Sequence, residues 1–100
     1  MDELVKAIKN HAKDNVATLF ETAEKGAWVM IMDSSGTSYK LQVIDSIPYG
    51  HKIALEPIAV GEEVTKYGEE IGIATKEILV GAHVHIQNID SIRGRGDWKK

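Results

Sequence analysis

Apolar and polar positions alternate along this chain in short bursts, and few segments carry the longer stripe of a helix. The clearest is "TSYKLQVID" (37–45), where Tyr39, Leu41 and Val43 share one parity and Lys40 and Gln42 the other. That period of two predicts a half-buried strand. Just before it, "AWVMIMD" (27–33) is a continuous apolar run between Gly26 and the turn cluster "DSSGTS", which predicts a buried strand leading into a hairpin. The second half continues as "HKIALEPI", "EEVTKYG", "EEIGIATKEI" and "AHVHIQNI". Glycines at 50, 61, 68, 72 and 81 punctuate these pieces at intervals too short for useful helices. Residues 4–12, "LVKAIKNHA", fit either a helical stripe of Leu4, Ile8 and Ala12 or an edge strand. The whole pattern predicts a mostly β fold, built as a barrel-like arrangement of short strands.

An internal echo supports this reading. Ile58-Ala-Val-Gly61-Glu-Glu-Val64 recurs as Ile78-Leu-Val-Gly81-Ala-His-Val84, with a fainter copy in Ala23-Glu-Lys-Gly26-Ala-Trp-Val29. Each places a glycine between two apolar anchors, as expected for a turn with positive φ that opens onto a strand.

Composition narrows the function. One hundred residues with 43% hydrophobic content make one domain with a modest core. A net charge of -3 gives no electrostatic drive toward nucleic acid or an anionic membrane. No apolar run approaches the length of a membrane span, and "MDELVKAIKN" is not a secretory signal. The absence of cysteine removes disulfides and thiolate metal sites and fits a cytoplasmic setting.

The chemistry-bearing stretch is "GAHVHIQN" (81–88). On a strand, His83 and His85 face one way and Val84 and Ile86 the other. Two imidazoles so placed are metal ligands, acid-base groups, or polar residues on a solvated face. A metal would need a further ligand such as His51 or a carboxylate, and no metal site is assigned to this chain alone.

Taken together, "HAKDNVA" (11–17), "GHKIAL" (50–55), "IAVGEEVTKYGEEIGIAT" (58–75), "GAHVHIQN" and "RGRGD" (93–97) resemble the N-terminal SAF-type domain of the altronate dehydratase family. Its relatives include galactarate dehydratases and the small subunit of sulfolactate sulfo-lyase. The chain departs from the family pattern at Ala12, where proline is usual after the first histidine, and across "VMIMDSSGTSYKLQVIDSIPYG".

The resemblance implies a SAF-type β-clip fold of short strands with pseudo-repeated turns, spanning residues 1–100 as a single domain. It implies a small subunit whose large catalytic partner is a separate polypeptide carrying iron or manganese, with no cofactor on this chain alone. The implied reaction is β-elimination of water from a sugar acid, or of sulfite in the sulfo-lyase branch. His51, His83 and His85 are the candidate catalytic groups, and Lys52 and Asn88 the candidate substrate-binding ones. Histidine exchanges protons near neutral pH and an ammonium holds a carboxylate. Arg93, Arg95, Asp97 and Trp98 form a candidate partner-docking tail. Self-association of the isolated chain through the partner-facing surface is a further expectation. The alternative class is a free-standing β-clip module that holds a carbohydrate or anion without catalysis. Asp14, Asn15, Tyr67 and Gly68 read as turn residues, Tyr67 with a packed ring. Glu62, Glu63, Glu69 and Glu70 read as a solvated edge.

Overall fold

A computed structural model describes residues 4–91, so the candidate docking tail at Arg93, Arg95, Asp97 and Trp98 lies outside the described residues. Every regular element among these residues is a strand. In chain order they are β1 (Val5–Lys9), β2 (Val16–Leu19), β3 (Trp28–Asp33), β4 (Ser38–Gln42), β5 (Lys52–Ala54), β6 (Glu63–Lys66), β7 (Glu69–Ala74), β8 (His83–Val84) and β9 (Ile89–Ser91). The ambiguous segment at 4–12 thus resolves as β1. Its central Ala7 is buried in register with Leu19 of β2 and Ile31 of β3, contacts no local pattern could announce. The mostly β expectation holds, in the short-stranded form that the SAF resemblance implies.

Six strands form one sheet in the order β4-β3-β1-β2-β5-β8, and three form a second in the order β6-β7-β9. All neighbours are antiparallel except β1 and β3. Two apolar cores result. One gathers Ala7, Leu19, Val29, Ile31, Val43, Ile47 and Ile53. The other gathers Val16, Ala54, Ile58, Val64, Ile78 and Val84. Strand neighbours such as Ile53 and Ala54 point to opposite faces, so β5 serves both cores, as does β2 through Val16 and Ala17. That double burial is why "IAL" reads as an unbroken apolar run.

The echoed turn is real, and the structure adds a fourth copy at Ile47-Pro-Tyr-Gly50-His-Lys-Ile53. In all four, the residue after the glycine donates its N–H to the carbonyl three residues back: Ala27 to Glu24, His51 to Pro48, Glu62 to Ala59 and Ala82 to Leu79. The glycines have φ of 84° to 91°, the value a type II turn requires at its third position. The anchors pair as isolated bridges, Ala23 with Ile47 and Ile58 with Ile78. The Ile47 copy keeps the same spacing but closes on Ile53 where the other three close on valine, and that hides it from the sequence pattern.

Asp14 ties the second sheet to the β1–β2 loop. It is the one buried charged residue of the described set, and its carboxylate accepts the N–H groups of His11, Tyr67 and Gly68 at 2.8–3.0 Å. Tyr67 and Gly68 both have positive φ, 59° and 75°, the requirement of a two-residue type I′ hairpin. Asp14 therefore holds a tyrosine in a conformation that side chains other than glycine resist. Asn15 extends the clasp, giving its amide to Glu63 O and accepting from Thr65 N. Tyr67 is a turn residue as expected, but it is 64% exposed rather than packed, with the Lys66 ammonium 5.1 Å from its ring centroid.

Two predictions follow from these contacts. Asp14→Ala strands three N–H groups and should cost about 2–4 kcal/mol, read as a lowered denaturant midpoint. A Cβ at Gly81 would run into the Gln42 carbonyl oxygen, whereas one at Gly36 meets nothing within 4 Å although both glycines have positive φ. Gly81→Ala should therefore destabilise by roughly 2 kcal/mol or more beyond Gly36→Ala, which carries only the backbone strain of about 1 kcal/mol. Equal losses would show that φ, not the close approach, sets the requirement at Gly81.

Candidate functional site: a three-histidine cluster

The site begins with one strand pairing. β8 lies antiparallel to β5 with Ile53 opposite His83 and Lys52 opposite Val84. The Gly50 turn delivers His51 to the start of β5, where its carbonyl accepts from Leu19 N. His51 thereby meets His83 across 32 residues of sequence, with Nδ1 of one ring 2.8 Å from Nε2 of the other.

His85 joins them by a route the strand pattern did not foresee. β8 ends at Val84, and the chain turns so that the His85 carbonyl accepts from Asn88 N and Ile89 N. His85 still stacks on His51, with ring centroids 3.9 Å apart and planes 18° from parallel. His83 and His85 lie at 5.7 Å and 9°. The alternation expected for 83–86 fails at its last member. Val84 is fully buried, while Ile86 is 79% exposed because it falls in the turn.

The surroundings fix this arrangement. Asp45 Oδ2 accepts from His83 N at 3.0 Å, and Gln87 Nε2 lies 3.3 Å from His83 Nδ1. Asn88 donates to His83 O and accepts from His85 N, so its carboxamide holds the backbone that presents both rings. Asp45 and Gln87 were missed in the sequence: Asp45 lies 38 residues from the atom it holds, and no local spacing signals that contact.

Burial and crowding set the protonation states. Loss of water contact pushes the His83 pKa below the ordinary imidazole value, helped by the neighbouring His51, His85 and Lys52 charges and opposed by Asp45. His85 is lowered by burial, then by His51 and Lys52. Lys52 is also lowered, by burial first and then by Lys66. Among the described residues no carboxylate forms an ion pair with Lys52. The result is a pair of imidazoles, His83 and His85, biased toward the neutral form, with Lys52 acting on them as a longer-range charge from the face of β5 that it shares with Val84 of β8. Such a site offers N–H donors and nitrogen lone pairs to an anionic ligand. His11, the remaining histidine, is exposed and takes no part; its Nδ1 accepts from Lys13 N.

The lowered values give stability a defined pH dependence. Below the ordinary value of 6.5 the unfolded chain binds protons that the folded cluster refuses. The contribution of His83 and His85 is thus complete above that pH and is lost as pH falls toward their folded-state values. Denaturant unfolding with chelator present, from neutral pH down to about 5, should show declining stability. The double variant His83→Asn, His85→Asn should flatten that decline; an unchanged slope would place the effect elsewhere.

Residues 5–92 match the family described as the altronate/galactarate dehydratase SAF domain. An altronate dehydratase of Bacillus subtilis (strain 168) is 38% identical over 81 residues, which cover 81% of this chain and 15% of that protein. The (2R)-sulfolactate sulfo-lyase subunit alpha of Paracoccus pantotrophus is 36% identical over 63 residues, 63% of this chain and 94% of that subunit. Its namesake in Chromohalobacter salexigens is 39% identical over 66 residues, 66% of this chain and 67% of that one. The chain thus spans a small part of the dehydratases it matches and most of the sulfo-lyase subunits. A fold of short strands joined by repeated glycine turns, with match coverage from 5 to 92, leads to one assignment: the chain belongs to the altronate/galactarate dehydratase SAF domain family.

Proposed function

We propose that this chain is an accessory subunit of a lyase, assisting β-elimination of water from a sugar acid together with a large catalytic subunit. The observation that carries this reading is the convergence of His51, His83 and His85. In such a reaction a base removes the proton next to the carboxylate, the electrons form the Cα–Cβ double bond, and the β-hydroxyl leaves with a proton from an acid. Lys52, whose charge reaches His83 and His85 from the Val84 face of β5, is the candidate for the substrate carboxylate, whose charge must be offset before the adjacent C–H is acidic enough to ionise. In the His51–His83 hydrogen bond one ring donates and the other accepts, so the cluster holds a proton donor and a lone pair together. Asn88 supports the substrate site through the backbone it holds.

The partner is inferred from relatives of two kinds, long dehydratases and a lyase subunit alpha. Exposed apolar side chains adjoin the cluster residues in sequence, and they suit a protein surface. Ile44 precedes Asp45, Tyr49 lies two before His51, and Ile86 follows His85. Iron or manganese, expected on the large partner, would supply Lewis-acid activation of the hydroxy acid. A second reading replaces water by sulfite as the leaving group. It is favoured by the extent to which this chain covers a sulfo-lyase subunit alpha, 94% of its length.

Used as bait in its native host, the chain should recover a large dehydratase-like polypeptide. The isolated chain should not turn over altronate, galactarate or sulfolactate, and the recovered complex should turn over one of them. In that complex Lys52→Met should lower kcat/KM about 10²–10³-fold. Turnover by the chain alone, or full activity of the Lys52→Met complex, would reject the accessory role or the carboxylate role respectively.

A further inference from the structure

We propose that His51, His83 and His85 form a divalent transition-metal site belonging to this chain itself. The site rests on the lyase reading but alters it in one respect, since a bound metal takes the lone pairs of these rings and leaves proton exchange to the partner's groups; its existence does not depend on turnover. Each histidine offers one ring nitrogen, and these atoms all lie within 4.8 Å of one another. Three different local structures supply them: the exit of the Gly50 turn, the β8 strand and the turn after it. Convergence of that kind is not a by-product of one strand face, because His51 arrives from 32 residues away.

The donor set selects the kind of ion. Three neutral imidazoles without a carboxylate suit zinc, cobalt, nickel or ferrous iron rather than magnesium or calcium, which prefer oxygen. Three protein ligands also leave positions open, as in catalytic rather than structural metal sites. With neutral ligands the ion keeps its full double charge, so the site favours an anionic chelator such as a 2-hydroxy acid. An outer shell is already present. With His83 Nε2 ligating, Nδ1 carries the proton, and the Gln87 carboxamide 3.3 Å away accepts it once its oxygen is turned inward. Asp45 and Asn88 hold the backbone of the ligand segment.

Seating the ion requires two adjustments. Nitrogens about 2.1 Å from a tetrahedral ion sit roughly 3.4 Å apart, so the His51–His83 pair, now at 2.8 Å, must open and exchange its shared proton for the metal. The stacked rings must also turn about their Cβ–Cγ bonds to bring their lone pairs onto one point. All three side chains are only partly buried, which leaves room for that turn.

The test uses the purified chain, stripped with chelator and titrated with Co(II) and with Zn(II). One equivalent per chain is expected by calorimetry, with visible Co(II) bands of a nitrogen-ligated site. His83→Gln and, separately, the turn variant His85→Gln should abolish the site while far-ultraviolet circular dichroism remains unchanged. Gln87→Ala should weaken binding about tenfold or more, and His11→Gln should leave it intact. Binding below a tenth of an equivalent would overturn the proposal, as would stoichiometric binding that survives both His83→Gln and His85→Gln. A 2-hydroxy acid that perturbs the Co(II) bands supports the lyase reading as well. A bound metal whose bands ignore every hydroxy acid supports the metal site and counts against that reading.

Discussion

The site in this protein hangs on the pairing of two very short strands, β5 and β8, in which Ile53 stands opposite His83. That register is enforced from both sides. Ile53 belongs to one apolar core, and Ala54 and Val84 belong to the other. A slip of one residue would put His83 against the second core and Val84 toward the imidazoles, reversing every contact at once. Hydrogen bonds from Gly81 N to Ala54 O and from Ala54 N to Ala82 O hold the same register just before β8 begins. Two buried faces therefore do for a two-residue strand what length does for an ordinary one.

The repeated turn explains how such short strands are tolerated. Each copy closes its own backbone hydrogen bond and then hands the chain to a neighbour through a second pair. Gly26 N bonds Val43 O, Gly50 N bonds Leu19 O, Gly61 N bonds Ala74 O and Gly81 N bonds Ala54 O. The strands are thus extended in effect by turn residues that contribute ladder bonds without belonging to a strand. Two of the four turns, those at Gly50 and Gly81, lead directly to His51 and His83. The device that stabilises the fold also positions the chemistry.

Within the cluster, crowding decides the electrostatics. Two imidazoles sharing a hydrogen bond and a third stacked at 3.9 Å cannot all carry charge at low cost. The fold resolves this by keeping His83 and His85 neutral, the state that binds metals and accepts protons. Asp45 tempers the effect without cancelling it, since it meets the backbone of His83 rather than its ring.

The sequence by itself determined the strand character, the glycine turns and the family. Those signals are local: period-two alternation in "TSYKLQVID", positive-φ glycines at fixed offsets from apolar anchors, and motif blocks in order along the chain. It also picked out the histidines one by one, because "GHK" and "HVH" are short and contiguous. Only the tertiary structure decided that they form one cluster and that Ile86 turns outward. It likewise decided that Asp14 reaches across to hold Tyr67 and Gly68, and that Asp45 and Gln87 complete the shell around His83. Those contacts span up to 54 residues, and they are set by register and by two cores packing on opposite faces of one strand. No spacing along the chain encodes that geometry.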